Sequence, residues 1–199
     1  LESVDGSTAL QSAKGVRAPV ITMTLTASTT ALVLVVTFFA SINLPATSGQ
    51  VFDAGDIVIF ITAMTFGPVI GGIAGGIGSG LSDALHGYIT FAPFTLVIKG
   101  LEGLVAGYLV GRRFQGREYV AWFLASVIMV GGYFFSEAYL MGFIYGSGPG
   151  LANAILELPF NVLQVSLGGN IAIPVSRYLR KSLPPLIMPL NPLARRSSS

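Results

Sequence analysis

The chain has 199 residues, of which 52% are hydrophobic and only 10% charged, with a formal net charge of +2. A soluble domain is about 25% charged, and so few charges cannot cover the surface of a soluble protein this long. With long apolar runs, the composition implies an all-α integral membrane protein whose surroundings are the lipid bilayer, with no nucleic acid as partner. There is no cysteine, which excludes disulfides and thiolate metal sites. The sole histidine, His86, excludes a paired-histidine zinc motif, so no metal or cofactor is expected.

Residues 1–18 are polar, without the apolar core of a signal peptide, and read as a cytoplasmic tail. A first span is expected at 19–40, with Ala27 and Ala31 four apart on a small-residue face. The second, 55–66, is opened by Asp53 and Asp56, which suit a helix N-terminus as well as a pocket. Gly67-Pro68 ends it, because proline disfavours helix at the residue before it.

The third span, 69–85, begins "VIGGIAGGIGSG". Its glycines lack the lysine and hydroxyl residue of a phosphate-binding loop, and their spacing of four suits close helix packing. Ser79 and His86 are seven residues apart, about 10 Å along a helix, too far for a nucleophile and its base. Asp83 and His86 read as solvated groups near the membrane interface.

The fourth span, 92–111, carries Lys99 and Glu102 three residues apart, on one helical face. A charge at this depth costs about 2.5–3.5 kcal/mol by insertion scales, so it marks a bundle interior or a substrate path. In the fifth span, 119–145, "YFFSEAY" sets Tyr133, Phe135 and Tyr139 around Glu137. The sixth, 151–178, carries Asn153, Glu157, Asn161 and Gln164 at spacings of four, four and three, one polar stripe on an apolar helix. Residues 179–199 read as a second cytoplasmic tail.

Basic residues decide the number of spans. With six spans and both termini cytoplasmic, Lys14, Arg17, Arg112, Arg113, Arg117, Arg177, Arg180, Lys181, Arg195 and Arg196 all fall inside, ten of the eleven lysines and arginines. The eleventh is Lys99. Asp53, Asp56, Asp83, Glu102, Glu137 and Glu157 all fall in the outer half. Aromatic walls around converging polar groups are what a small-molecule pocket requires.

Residues 55–112, with the Gly-Asp opening, the Gly-Pro turn before a glycine-rich span, and "FTLVIKGLEG", resemble the substrate-binding S components of energy-coupling factor (ECF) vitamin importers, in the riboflavin-type branch. The resemblance implies a capture subunit of the prokaryotic plasma membrane that takes up a vitamin or a cofactor precursor, of riboflavin or thiamine-precursor type. It implies docking through Ala27 and Ala31 onto a membrane coupling subunit driven by two ATPases. It also implies a lid formed by residues 41–52, and toppling within the membrane to release cargo. In that reading Lys99 meets an anionic substrate group or Glu102, Glu137, Glu157, Asn161 and Gln164 hydrogen-bond the ligand, and Tyr133, Phe135 and Tyr139 stack on its ring. The acid excess favours a neutral or cationic heterocycle. The rival is a stand-alone proton-coupled transporter relaying through Glu102, Glu137 or Glu157. The expected inner half of the bundle has no acid, which argues against it. No catalytic constellation is present, so no enzyme is expected.

Overall fold

The structure, a computed structural model, describes residues 6–43, 50–112 and 114–183. Helix α1 is Gly6–Phe39, followed by strands β1, Ser41–Asn43, and β2, Gln50–Asp53. Helices α2, Gly55–Phe66, α3, Pro68–Leu85, and α4, Ala92–Val110, come next. Helix α5, Arg117–Phe135, runs through a π-helical turn, Ser136–Leu140, into α6, Met141–Tyr145. Helix α7 is Gly150–Ser182. The result is six helical rods in the six expected intervals, with α1 beginning and α7 ending beyond the limits expected of the first and last spans.

Among the described residues, four helices are long and apolar enough to cross a membrane: Pro19–Phe39, Ala92–Val110, Arg117–Tyr145 and Gly150–Ser182. Helix α2 is apolar but only 12 residues long. Glycine, serine and Asp83 lower the hydropathy of the 18-residue α3. The polarity of the bundle is that of a membrane protein: large apolar side chains such as Leu101, Phe123 and Leu163 point outward, while Lys99, Glu102, Glu137 and Glu157 are buried.

Gly67 joins α2 to α3 with φ +98°, a backbone that only glycine adopts without strain, and Pro68 supplies the first helical position of α3. The expected close packing is borne out between α3 and α4. A β-carbon on Gly75 would lie 2.6 Å from the Lys99 carbonyl oxygen, and one on Gly107 would lie 2.6 Å from the Gly67 carbonyl carbon. On Gly103 it would strike the Gly71 carbonyl oxygen. These contacts bring the backbone of α4, and with it Lys99, against α3.

One difference from a purely helical reading is the ribbon in which β1 pairs antiparallel with β2. It forms because the chain leaving α1 must turn back to α2, and backbone pairing satisfies its N–H and C=O groups. The Ala54 N–H also donates to the Ala40 carbonyl, at 3.1 Å. Residues 44–49 of the expected lid lie outside the described residues, as do Arg113, residues 1–5 and 184–199, and hence Arg195 and Arg196.

Among the described residues the apolar core has three parts, the smallest being Val33, Ile59 and Ala74 between α1, α2 and α3. Phe60, Met64, Ala106, Val110, Ala121, Ala125, Ala172 and Ile173 form one cluster between α2, α4, α5 and α7. Ile98, Met129 and Val165 form another, packed against Phe94 and Tyr133, and it floors the site described next.

Candidate functional site

Lys99 projects from α4 into the bundle, where 1% of it is exposed. Its ammonium pairs with Asp56 of α2 and lies 3.8 Å from the carboxylate of Glu102, one turn along its own helix. It also stands 5.7 Å from the centre of the Tyr133 ring, whose π-face favours a cation.

Gln164 of α7 gathers the other acids. Its Nε2 donates to Asp53 Oδ2 at 3.1 Å and to Asp56 Oδ2 at 3.0 Å. Its Oε1 accepts the Asp53 backbone N–H at 2.9 Å. Asp53 Oδ1 accepts the Gly55 N–H at 2.6 Å, so this residue satisfies one free donor of the first turn of α2 and joins the network as well. Ribbon, α2, α4 and α7 are thus tied together by one chain of polar contacts.

Two further groups complete the wall. The Tyr133 hydroxyl donates to Thr95 Oγ1 at 3.1 Å, and the Thr95 hydroxyl donates to Asp83. Asn153 Nδ2 donates to Glu157 Oε1 at 2.8 Å and to Glu137 Oε2 at 3.2 Å, holding two carboxyl groups side by side. Glu137 sits on the π-helical turn, a wider helix turn of a kind frequent at functional sites.

Lys99, Tyr133, Glu137, Glu157, Asn161 and Gln164 line one pocket, together with Thr37, Asp53, Ser79, Asp83, Tyr88, Phe91, Thr95 and Met129. Asn153 lies behind the two glutamates it bridges. Glu102 lies behind Lys99, and neither of its carboxyl oxygens has a hydrogen-bond partner among the described residues. The free space is about 30 Å³. That is room for one or two waters.

Phe135 and Tyr139 are not brought to this pocket. They are 53% and 55% exposed and pack on each other across 5.7 Å, on the outer surface of the rod. Residues two apart on a helix point to opposite sides, so Phe135 cannot share the face of Tyr133, nor Tyr139 that of Glu137. Asp83 is a second departure: it is buried against Thr95 and lines the pocket, whereas its place near a helix end suggested solvation. Its neighbour His86 turns away, its Nδ1 3.0 Å from the Ser82 carbonyl and its ring 4.2 Å from that of Phe38.

The Lys99–Asp56 pair was not anticipated, because 43 residues separate the two in sequence. Thr95 and Met129 carried a readable signal, each lying four residues before a residue already singled out, Lys99 and Tyr133. Ala27 and Ala31 are exposed on the outer face of α1, away from the pocket.

Comparison with known proteins identifies the family. The chain is 37% identical over 156 residues to an uncharacterized protein in the gap 3′ region of Pyrococcus woesei, covering 78% of this chain and 99% of that one. It is 31% identical over 146 residues to the thiamine precursor transporter HmpT of Lactococcus lactis subsp. cremoris (strain MG1363), covering 73% of this chain and 80% of that one. The family described as ECF-type riboflavin transporter, S component, matches residues 18–181. A match over that length, carrying the glycine-packed α3–α4 pair and the pocket lined from α1, α3, α4, α5 and α7, makes this chain a member of the ECF-type riboflavin transporter S-component family, a membrane transport protein and not an enzyme.

Proposed function

We propose that the chain is the substrate-capture subunit of an ATP-driven importer, and that the pocket around Lys99, Glu157, Asn161 and Gln164 takes a water-soluble vitamin or its precursor. The observation that carries this reading is the burial, within a family of vitamin-transport S components, of one lysine and several carboxyl groups around a single polar pocket. Buried ionisable groups in a bundle are expensive, and a substrate path is their usual reason. Carboxyl groups outnumber the lysine, and Lys99 already faces Asp56 and Glu102, so the ligand is a neutral or cationic heterocycle with N–H donors. The thiamine precursor transporter among the relatives accords with such a ligand, and so does the riboflavin named by the family.

In this reading the protein crosses a prokaryotic plasma membrane six times with both termini cytoplasmic, and the pocket opens outward. Ala27 and Ala31 then meet the membrane coupling subunit of a module with two ATPases. Their exposure on α1 leaves that small-residue face available.

The test is to purify the protein in mild detergent from cells grown on rich medium, denature it, and identify released small molecules by mass spectrometry. A stoichiometric vitamin, lost in Asn161→Ala/Gln164→Ala, supports the reading. A protein that carries no vitamin, and binds none on titration, refutes it.

A further inference from the structure

A second depression opens beside the buried pocket. It is lined by Thr90, Phe91, Met141, Tyr145, Ser147 and neighbouring residues, and its free volume is about 330 Å³. Its walls come from the turn between α3 and α4, from α6 and from the turn that follows α6, not from the ribbon that precedes α2. Phe91 lines both spaces. The ring is nearly buried, in contact with Tyr88 on one side, at 6.4 Å between centroids.

Volume decides what each space can hold. The inner pocket, at about 30 Å³, has room for water only. The outer depression, at about 330 Å³, is in the lower range of small-ligand sites. Its chemistry is also that of a ring site: the aromatic faces of Phe91 and Tyr145, the thioether of Met141, and the hydroxyls of Thr90 and Ser147 at the edge. Tyr145 is held edge-on against Phe94 of α4, at 6.2 Å, which fixes one wall.

Gly87 and Gly146 adopt φ +89° and +73°, left-handed backbone that glycine takes without strain, and so set the course of the two turns that flank the depression.

We propose that the depression is an outer binding site that takes the planar heterocycle first, with Phe91 as the partition through which the ring passes to the buried pocket. This rests on the vitamin-capture reading. It goes further by assigning a second site, a route between the α3–α4 and α6–α7 turns, and a residue that sets the rate of loading. Phe91 is a positioning residue here: it governs passage, while the Lys99 network holds the ligand.

The test measures association and dissociation rates in the full-length protein, in detergent, with two probes: riboflavin, and the aminopyrimidine half of thiamine. Phe91→Ala opens the partition, so association quickens by about tenfold. Ser147→Trp, at an exposed turn position where folding is not at stake, fills the depression and slows association by about tenfold. If at least one probe binds the wild-type protein, and both variants load it at the wild-type rate, the outer site and its route are refuted while the capture reading stands. If the wild-type protein binds neither probe, the capture reading fails, and the route with it.

Discussion

At the residue scale, two side chains hold the charged interior together. Gln164 makes three hydrogen bonds to Asp53 and Asp56. In Gln164→Ala those acceptors and the Asp53 N–H lose their partner in a buried place, at a cost of about 1–3 kcal/mol. A lowered unfolding temperature in detergent is the expected readout; an unchanged one would show that water replaces the amide. Lys99→Met removes the cation that pairs with Asp56 and lies beside Glu102, and breaking a buried pair costs about 3–5 kcal/mol. The double variant Lys99→Met/Asp56→Asn recovers part of that loss if the pair is what matters. If the double variant is no more stable than the single one, the lysine's role lies elsewhere.

The same residues show what the sequence could tell. Lys99, Glu137, Glu157, Asn161 and Gln164 were legible because each is a polar group at helical spacing in an apolar segment. Their partners across the bundle were not. Asp56 and Asp83 look like helix-end groups until tertiary packing covers them, and no spacing rule links Asp56 to Lys99. Phe135 and Tyr139 misled because aromatic rings close in sequence to Glu137 suggested a shared wall, while helix geometry sends them to the opposite side.

At the element scale, the α3–α4 contact is the best-specified interface of the fold, and it too was legible, since glycines four apart announce close helix approach. Gly103→Val forces a side chain onto the Gly71 carbonyl. Overpacking of this kind costs about 1–3 kcal/mol, and because Lys99 lies one turn away it also displaces the pocket. Gly131 is the control: a β-carbon there meets nothing within 4 Å. Gly131→Ala is therefore neutral, or stabilising by about 0.5–1 kcal/mol through helix propensity. Equal effects of the two substitutions on unfolding temperature would count against the packing account. The ribbon β1–β2 was not legible, because its pairing is a response to the ends of α1 and α2 and not a pattern in its own short strands.

At the scale of the whole molecule, orientation is open to direct measurement because the native chain contains no cysteine. Single-cysteine variants at Ser147 and at Lys181 then report one position each. With the pocket outward, a membrane-impermeant maleimide added to intact cells labels Ser147→Cys and leaves Lys181→Cys unlabelled until the cells are opened. The reverse pattern would invert the proposed topology. Glu118, Arg177 and Arg180 bind each other where α5 begins and α7 ends, with Arg180 Nη2 2.9 Å and Arg177 Nη2 3.4 Å from the Glu118 carboxylate. This joined cluster lies about 30 Å along α7 from Glu157, roughly the thickness of a hydrocarbon core.

The brevity of α2 is kept from the lipid around the protein. Twelve residues give a rod of about 18 Å, against a hydrocarbon core of about 30 Å. Yet every residue of α2 is buried or half-buried, so its neighbours stand between it and the acyl chains. A short helix met directly by lipid would thin the bilayer, at fractions of a kcal/mol per Å. Sheathed as it is, α2 can stop at mid-depth without that cost.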